Sequence, residues 1–428
     1  MSTPSSSTGS PPTPPQGSSA PSGPPPTAAK RKFDEIVASM PHTHSTVSQN
    51  KRTKRESMET KSPIDKLLSM ARYFPRAVSP DLDIGLVLFY GALAHWGQTD
   101  SQDACNETRL PEKERLEQQK HAKAFDKMLS ISPSSLEILH EFHKSDDQWP
   151  RLVSMFREAA SSARQNDTST LKQKHSYVLH DPTHSLVPKI PESALKSDRG
   201  LNHPMLRDAI IPWPLRLRIH EKQGLPEDAP EGTEPSPTPE ATAALKALMK
   251  GKTVDKKPAL VAKQYEYPSC FYAEGAFDPA DPEKGLFRSQ FILRVLRHIW
   301  TAPASAMNGA SKIPKVCNAR AHGQYKVIPE MLAYACRQAR TTISVSDWTP
   351  KEGSYNYETM FNNIVLLFEA DPTDPWAIET LEWLQNGVFG GADASDNESD
   401  SDDEDASAAA TILAKRAARR AEAPASSG

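Results

Sequence analysis

Gly285-Leu286-Phe287-Arg288-Ser289-Gln290-Phe291-Ile292-Leu293-Arg294-Val295-Leu296-Arg297-His298-Ile299-Trp300 is the stretch whose reading decides the fold class. Asp278-Pro279-Ala280-Asp281-Pro282-Glu283 precedes it, a turn signal with proline suited to a first helical turn, and Pro303 forbids continuation. At about 100° per residue, Phe291, Ile292, Val295, Leu296, Ile299 and Trp300 share one broad arc. Gln290, Arg294, Arg297 and His298 fall opposite, where a solvated face belongs. The spacing therefore predicts an amphipathic helix with one misplaced cation, Arg288, inside the apolar arc. A guanidinium keeps its proton and needs acceptors when buried. Asp278, Asp281, Glu283 or an acid from another helix would supply them in a structural ion pair. An anion site open to a cleft is the alternative.

Working outward, the same proline-led pattern recurs. Helices are expected from Pro63 to Tyr73, from Ser79-Pro80-Asp81 to Trp96, over Pro111–Leu129, from Ser132 to His143 and from Trp149 to Arg164. Asp167-Thr168-Ser169 reads as the cap of a further helix ending near Leu179. Toward the C-terminus, Pro329–Ile343 has Met331, Leu332, Ala335 and Ala339 on its inner face. Tyr355–Glu369 is expected to bury Phe361, Ile364, Val365 and Phe368, and Pro375–Gly387 places Trp376, Leu381, Trp383 and Leu384 where some of them can close the core. No alternating run competes. The expected fold is all-α: an irregular multi-helix globular core with long Pro-rich loops, flanked by disordered N- and C-terminal arms.

The boundaries follow from composition. Residues 1–60 form a Ser/Pro-rich arm with too few large apolar side chains to order, 61–190 the helical N-terminal part of the core, and 191–390 the rest of it. Residues 221–262, rich in Pro, Glu and Thr, read as a mobile insertion, and 391–428 as an acidic tail followed by an Ala/Arg-rich helix. The chain of 428 residues has 38 prolines and a net charge of −3. That charge conceals a separation: seven Lys/Arg against four Asp/Glu in 1–60, and four against nine in 391–428. The core between them is close to neutral and lacks the broad basic footprint of a nucleic-acid-binding domain, so nucleic acid is a weakly supported partner.

Within the first arm, Lys30-Arg31-Lys32 and Lys51-Arg52-Thr53-Lys54-Arg55 suit the acidic groove of a nuclear import receptor, the second being the better single cluster. The tail places Ser395, Ser399 and Ser401 among eight acids between Asp393 and Asp405, a context for an acid-directed kinase. Nuclear residence is expected, and cytoplasmic otherwise. The longest apolar run, Ile84 to Trp96, is too short to span a bilayer, so no membrane partner is expected. Cys105, Cys270, Cys317 and Cys336 make no CxxC pair and point to a reducing compartment. His180-Asp181-Pro182-Thr183-His184 flanks a carboxylate with histidines, but Pro182 favours a polar turn and no third ligand cluster lies nearby, so no metal is expected.

Four blocks carry a resemblance: Arg199-Gly200-Leu201-Asn202-His203-Pro204, Tyr272 to Asp278, Gly285-Leu286-Phe287-Arg288-Ser289, and Asn318-Ala319-Arg320-Ala321-His322-Gly323. Their order and spacing over about 199–389 resemble a family of unknown function numerous in basidiomycete fungi. Where that pattern tends to have Cys-Pro, this chain has Ile211-Pro212, which argues against a functional thiol there. The resemblance implies no activity.

The blocks still offer chemistry. Arg288, Arg320 and His322 could gather with His203 into a pocket that binds an anion or acts on a substrate, Arg giving paired donors and His a proton carrier. The structural alternative has Asn318, Arg320 and His322 satisfying buried backbone groups beside the central helix. No evident nucleophile, phosphate-cradling glycine loop or metal cage accompanies them, so no catalytic residue and no cofactor is assigned. The favoured reading is a non-enzymatic nuclear interaction protein recruiting chromatin-associated proteins through its charged ends. An enzyme or anion-binding protein is the alternative, and a mobile-element-derived nuclear protein the third.

Overall fold

The computed structural model describes residues 27–40, 62–97, 111–181, 184–191, 198–217, 266–308, 313–314, 317–352 and 355–390. The second basic cluster, the insertion 221–262 and the tail 391–428 lie outside them. Among the described residues the fold is all-α apart from one two-residue hairpin pairing Lys351–Glu352 with Tyr355–Asn356.

The first half supplies α1 (Ala28–Ser39), α2 (Pro63–Ala77), α3 (Ile84–Trp96), α4 (Glu112–Leu129), α5 (Ser135–His143) and α6 (Gln148–Leu171). The second supplies α7 (Pro204–Ile210), α8 (Gln290–Trp300), α9 (Ser305–Asn308), α10 (Asn318–His322), α11 (Pro329–Ile343), α12 (Tyr357–Glu369) and α13 (Pro375–Phe389). Local chemistry sets the starts. Ser62, Asp83, Ser289, Asn356 and Asp374 each accept a first-turn backbone N–H, and Pro opens α2, α7, α11 and α13. No helix among the described residues is long and apolar enough to cross a membrane.

α2 lies along α6, α3 along α4, and α11 along α12, α8 and α2. The two helices at the centre are α8 and α11. From Glu330 to Ile343 every residue of α11 is buried. Nine of the eleven residues of α8 are buried too, Arg294 and His298 among them. Of the face of α8 read as solvated, Gln290 is exposed and Arg297 half-buried, whereas Arg294 and His298 are covered. The reason is that their polar atoms meet protein acceptors in place of water: Arg294 donates from Nη1 to the Tyr177 carbonyl (2.9 Å) and the Leu179 carbonyl, and from Nη2 to that of His180 (2.9 Å). Arg297 donates from Nε to the Gly387 carbonyl at 2.7 Å. The misplaced cation of this helix is Arg294, because Arg288 precedes the Ser289 cap and is not on the helix.

Two further expectations change. Asp167 caps nothing, since α6 runs through it to Leu171 and its carboxylate turns inward. The N-terminal arm is not wholly unstructured: Ala28–Ser39 is helical and seats Phe33 against Phe142 of α5, with Ile36 and Met40 buried. Lys30, Arg31 and Lys32 stand exposed on its first turn.

Candidate functional site

A buried polar network sits where α2, α6, α10 and α11 meet. Arg76 of α2 grips Asp167 of α6 with two parallel bonds, Nε to Oδ2 and Nη2 to Oδ1, both 2.7 Å. Both side chains are about 95 % buried (relative exposures of 4 % and 5 %). Burial alone lowers the affinity of Arg76 for its proton, and the facing carboxylate outweighs it, so the guanidinium is held more firmly charged. From α11, the Tyr334 hydroxyl donates to Asp167 Oδ2 at 3.0 Å and accepts from Gln338 Nε2 at 2.8 Å. Burial and then the Asp167 charge push that phenol well above its ordinary range, so it stays a neutral donor. Gln338 also pairs with Thr168 of α6 at 3.2 Å.

His322, at the end of α10, completes the cluster, packed against the rings of Tyr73 and Trp300, which also touch each other. Its Nε2 faces Arg76 Nη1 at 3.5 Å and its Nδ1 faces Ser69 Oγ at 3.2 Å. A guanidinium can only donate, so Nε2 accepts, the ring proton sits on Nδ1, and Nδ1–H donates to Ser69. Ser69 in turn directs its own hydroxyl toward the Ala321 carbonyl at 3.5 Å. A serine activated by histidine needs the opposite wiring, with the ring accepting the hydroxyl proton. The pair joins α2 to α10 and does not form a nucleophile and its base.

A second buried group lies beside it on α8. His298 has Tyr177 Oη at 3.2 Å from Nδ1 and Thr170 Oγ1 at 3.0 Å from Nε2. Burial lowers its proton affinity from the ordinary 6.5 to about 4. Between those values the unfolded chain binds a proton that the folded chain refuses, so stability falls as pH drops from about 6.5 to 4 and levels off below. The loss is on the order of 3 kcal/mol. Urea unfolding across that range should show His298→Asn with a visibly flatter profile than the unsubstituted chain. Parallel profiles would remove His298 from the acid response.

A third cluster surrounds Glu352 in the hairpin. It accepts from Arg340 Nη2 (3.1 Å), Tyr357 Oη (2.8 Å), Ser346 Oγ (2.9 Å) and Ser344 Oγ. Burial raises its proton affinity, but Arg340 and these hydroxyls outweigh it and hold the carboxyl below its usual range. Arg340 lies 4.0 Å over the Tyr355 ring, and Arg337 3.8 Å over that of Trp348.

The residues picked out by sequence divide among different elements. Arg288 donates from Nη2 to Glu379 (3.2 Å) and from Nε to Thr380 (3.1 Å), so an acid from another helix is its partner, at the partly exposed edge of α13. His203 caps α7 by accepting from the Leu206 N–H at 3.4 Å, and its other nitrogen donates to the Pro188 carbonyl at 2.7 Å. Arg320 is half-buried on α10, with a buried Nε that has no hydrogen-bond partner among the described residues. His322 alone of the four enters the central network. Sequence reading missed Arg76, Asp167, Tyr334 and Gln338. The available signal was Ser69 and Arg76, seven apart on a helix otherwise buried through Met70, Tyr73, Phe74 and Ala77. Among the described residues no group of three or more His, Cys, Asp or Glu side chains could hold a metal ion.

The recurring blocks act as joints. Gly200 at φ +62° and His203 turn the chain into α7. Gly285 at φ +74° and Phe287 at φ +61° fold the chain back on itself, with Ala273 N–H donating to the Gly285 carbonyl at 2.8 Å, before Ser289 starts α8. Asn318 donates to the Ile299 carbonyl, and Gly323 at φ +66° ends α10. Residues 158–389 match the model of a family of unknown function, DUF6698. The chain belongs to that family. No curated protein and no solved structure matches it. The DUF6698 span opens inside α6, so Asp167, Tyr334, Gln338 and His322 lie within it while Ser69 and Arg76 come from α2, well upstream of it.

Proposed function

We propose that this chain is a non-enzymatic nuclear interaction protein, in which a helical DUF6698 core carries charged ends that recruit partners, an import receptor and chromatin-associated proteins among them. The observation that carries this reading is the wiring of the blocks. His322, His203, Arg288 and Asn318 are engaged in helix caps, ion pairs and backbone bonds, and the histidine–serine pair runs opposite to a catalytic one. The charge separation between residues 1–60 and 391–428 supports recruitment by the ends.

Affinity purification of the intact chain from nuclear extract tests it. Partners are expected at low salt, released at roughly 0.5 M, where exposed charges are screened within about 5 Å. They should also be lost when Lys51, Arg52, Lys54 and Arg55 are changed to alanine and the acids between Asp393 and Asp405 to their amides. Partners that persist through both changes would place recognition on the core and sink this reading. A rise in melting temperature with phosphate or a dicarboxylate, abolished by Arg320→Ala, would favour the anion-binding alternative.

A further inference from the structure

Lys30-Arg31-Lys32, the first basic cluster, does not occupy free chain. It forms the first turn of α1, below which Phe33, Ile36 and Met40, spaced three and four residues apart, make one apolar stripe. Phe33 meets Phe142 of α5 edge-on at 4.9 Å, and Ile36 and Met40 are 1 % and 3 % exposed. Thr27 caps the helix by accepting from the Lys30 N–H at 3.2 Å.

Two features set this helix apart. Its three cations crowd the N-terminal end, where the helix dipole is positive and repels them. Its 12 residues are also near the lower limit for a helix standing alone in water. The apolar stripe against α5 and α2 is therefore what holds it. Receptors that read an extended segment use its main-chain N–H and C=O groups together with alternate side chains. A docked helix offers neither, because its backbone groups are bonded internally and successive side chains diverge by about 100°.

We propose that α1 is a latch over the first import cluster: docked on α5, it withholds Lys30-Arg31-Lys32 in helical form, and released, it presents them as extended chain to the acidic groove of an import receptor. This rests on the import reading given above. It makes the second cluster the constitutive signal and the first a conditional one, uncovered by whatever displaces Phe33 and Ile36 from their seat.

Two measurements on the full chain test it. In the first, trypsin should cut after Lys30, Arg31 or Lys32 at least about tenfold faster in Ile36→Asp than in the unsubstituted protein, because cleavage follows the population of the open form. Phe33→Ala should lie between, and unchanged melting of the core confirms that only α1 has moved. Equal cleavage rates overturn the latch whatever the protein's location. In the second, a fluorescent fusion carrying alanine at Lys51, Arg52, Lys54 and Arg55 is expected outside the nucleus. Adding Ile36→Asp should restore nuclear accumulation, and adding alanine at Lys30, Arg31 and Lys32 should abolish it again. If the unsubstituted fusion is nuclear, leaves on neutralising 51–55 and stays out with Ile36→Asp, the latch is overturned and the import reading stands. A fusion outside the nucleus in every version overturns both.

Discussion

Replacing Asp167 with alanine is expected to destabilise the fold by roughly 3–5 kcal/mol, because a buried ion pair that loses one member leaves the other charge uncompensated. Arg76 would face the cavity with no carboxylate, and the Tyr334 hydroxyl would lose its acceptor. For a core of this size that amounts to a fall of about 10 °C in melting temperature. The double change Arg76→Met with Asp167→Leu should recover most of the loss, since similar-sized apolar pairs commonly match a buried ion pair. Adding Tyr334→Phe should recover more. Thermal melts of the single, double and triple variants decide the matter. A drop below about 2 °C for Asp167→Ala would show that the pair does not hold α2, α6 and α11 together.

The second large effect belongs to Phe287. Its ring is fully buried among Tyr267, Phe271, Phe368 and Trp376, with the nearest centroid, that of Tyr267, at 5.0 Å. Truncation to alanine should cost about 3–5 kcal/mol through lost transfer energy and the cavity left behind. Its backbone adds a sharper test. At φ +61° a side chain with a Cβ sits in the left-handed region at a cost of roughly 1–2 kcal/mol, which glycine avoids. Phe287→Gly loses the same ring and relieves that strain, so it should be the more stable of the two variants by about 1 kcal/mol. Chemical denaturation yielding alanine above glycine would show that position 287 carries no such strain.

Much of the fold was legible because helix starts are local events. Ser62, Pro63, Pro329 and Pro375 act through their own side chains on the next few residues, and those helices begin where the sequence places them. Burial was less legible, because it depends on partners far away in sequence. The polar side of α8 looks solvated until residues 177–180 supply carbonyls to Arg294 across more than a hundred residues of chain. Asp167 has the residue type and setting of a helix cap, and only the arrival of Arg76 and Tyr334 makes it a core group. The site fared similarly. His322 was found through its block, but its meaning lies in Arg76 and Ser69, more than 240 positions earlier and outside any block.

The ion pair between α2 and α6 bears on where this fold can be cut. The DUF6698 match begins at residue 158, ten residues into α6, and excludes the whole of α2. A protein trimmed to 158–389 would keep Asp167 and discard the guanidinium that neutralises it, while opening to water the apolar surfaces that α2 and α3 cover. Such a piece should be expressed as aggregate, and a soluble unit should begin no later than Ser62. The region that defines the kinship is thus smaller than the region that folds.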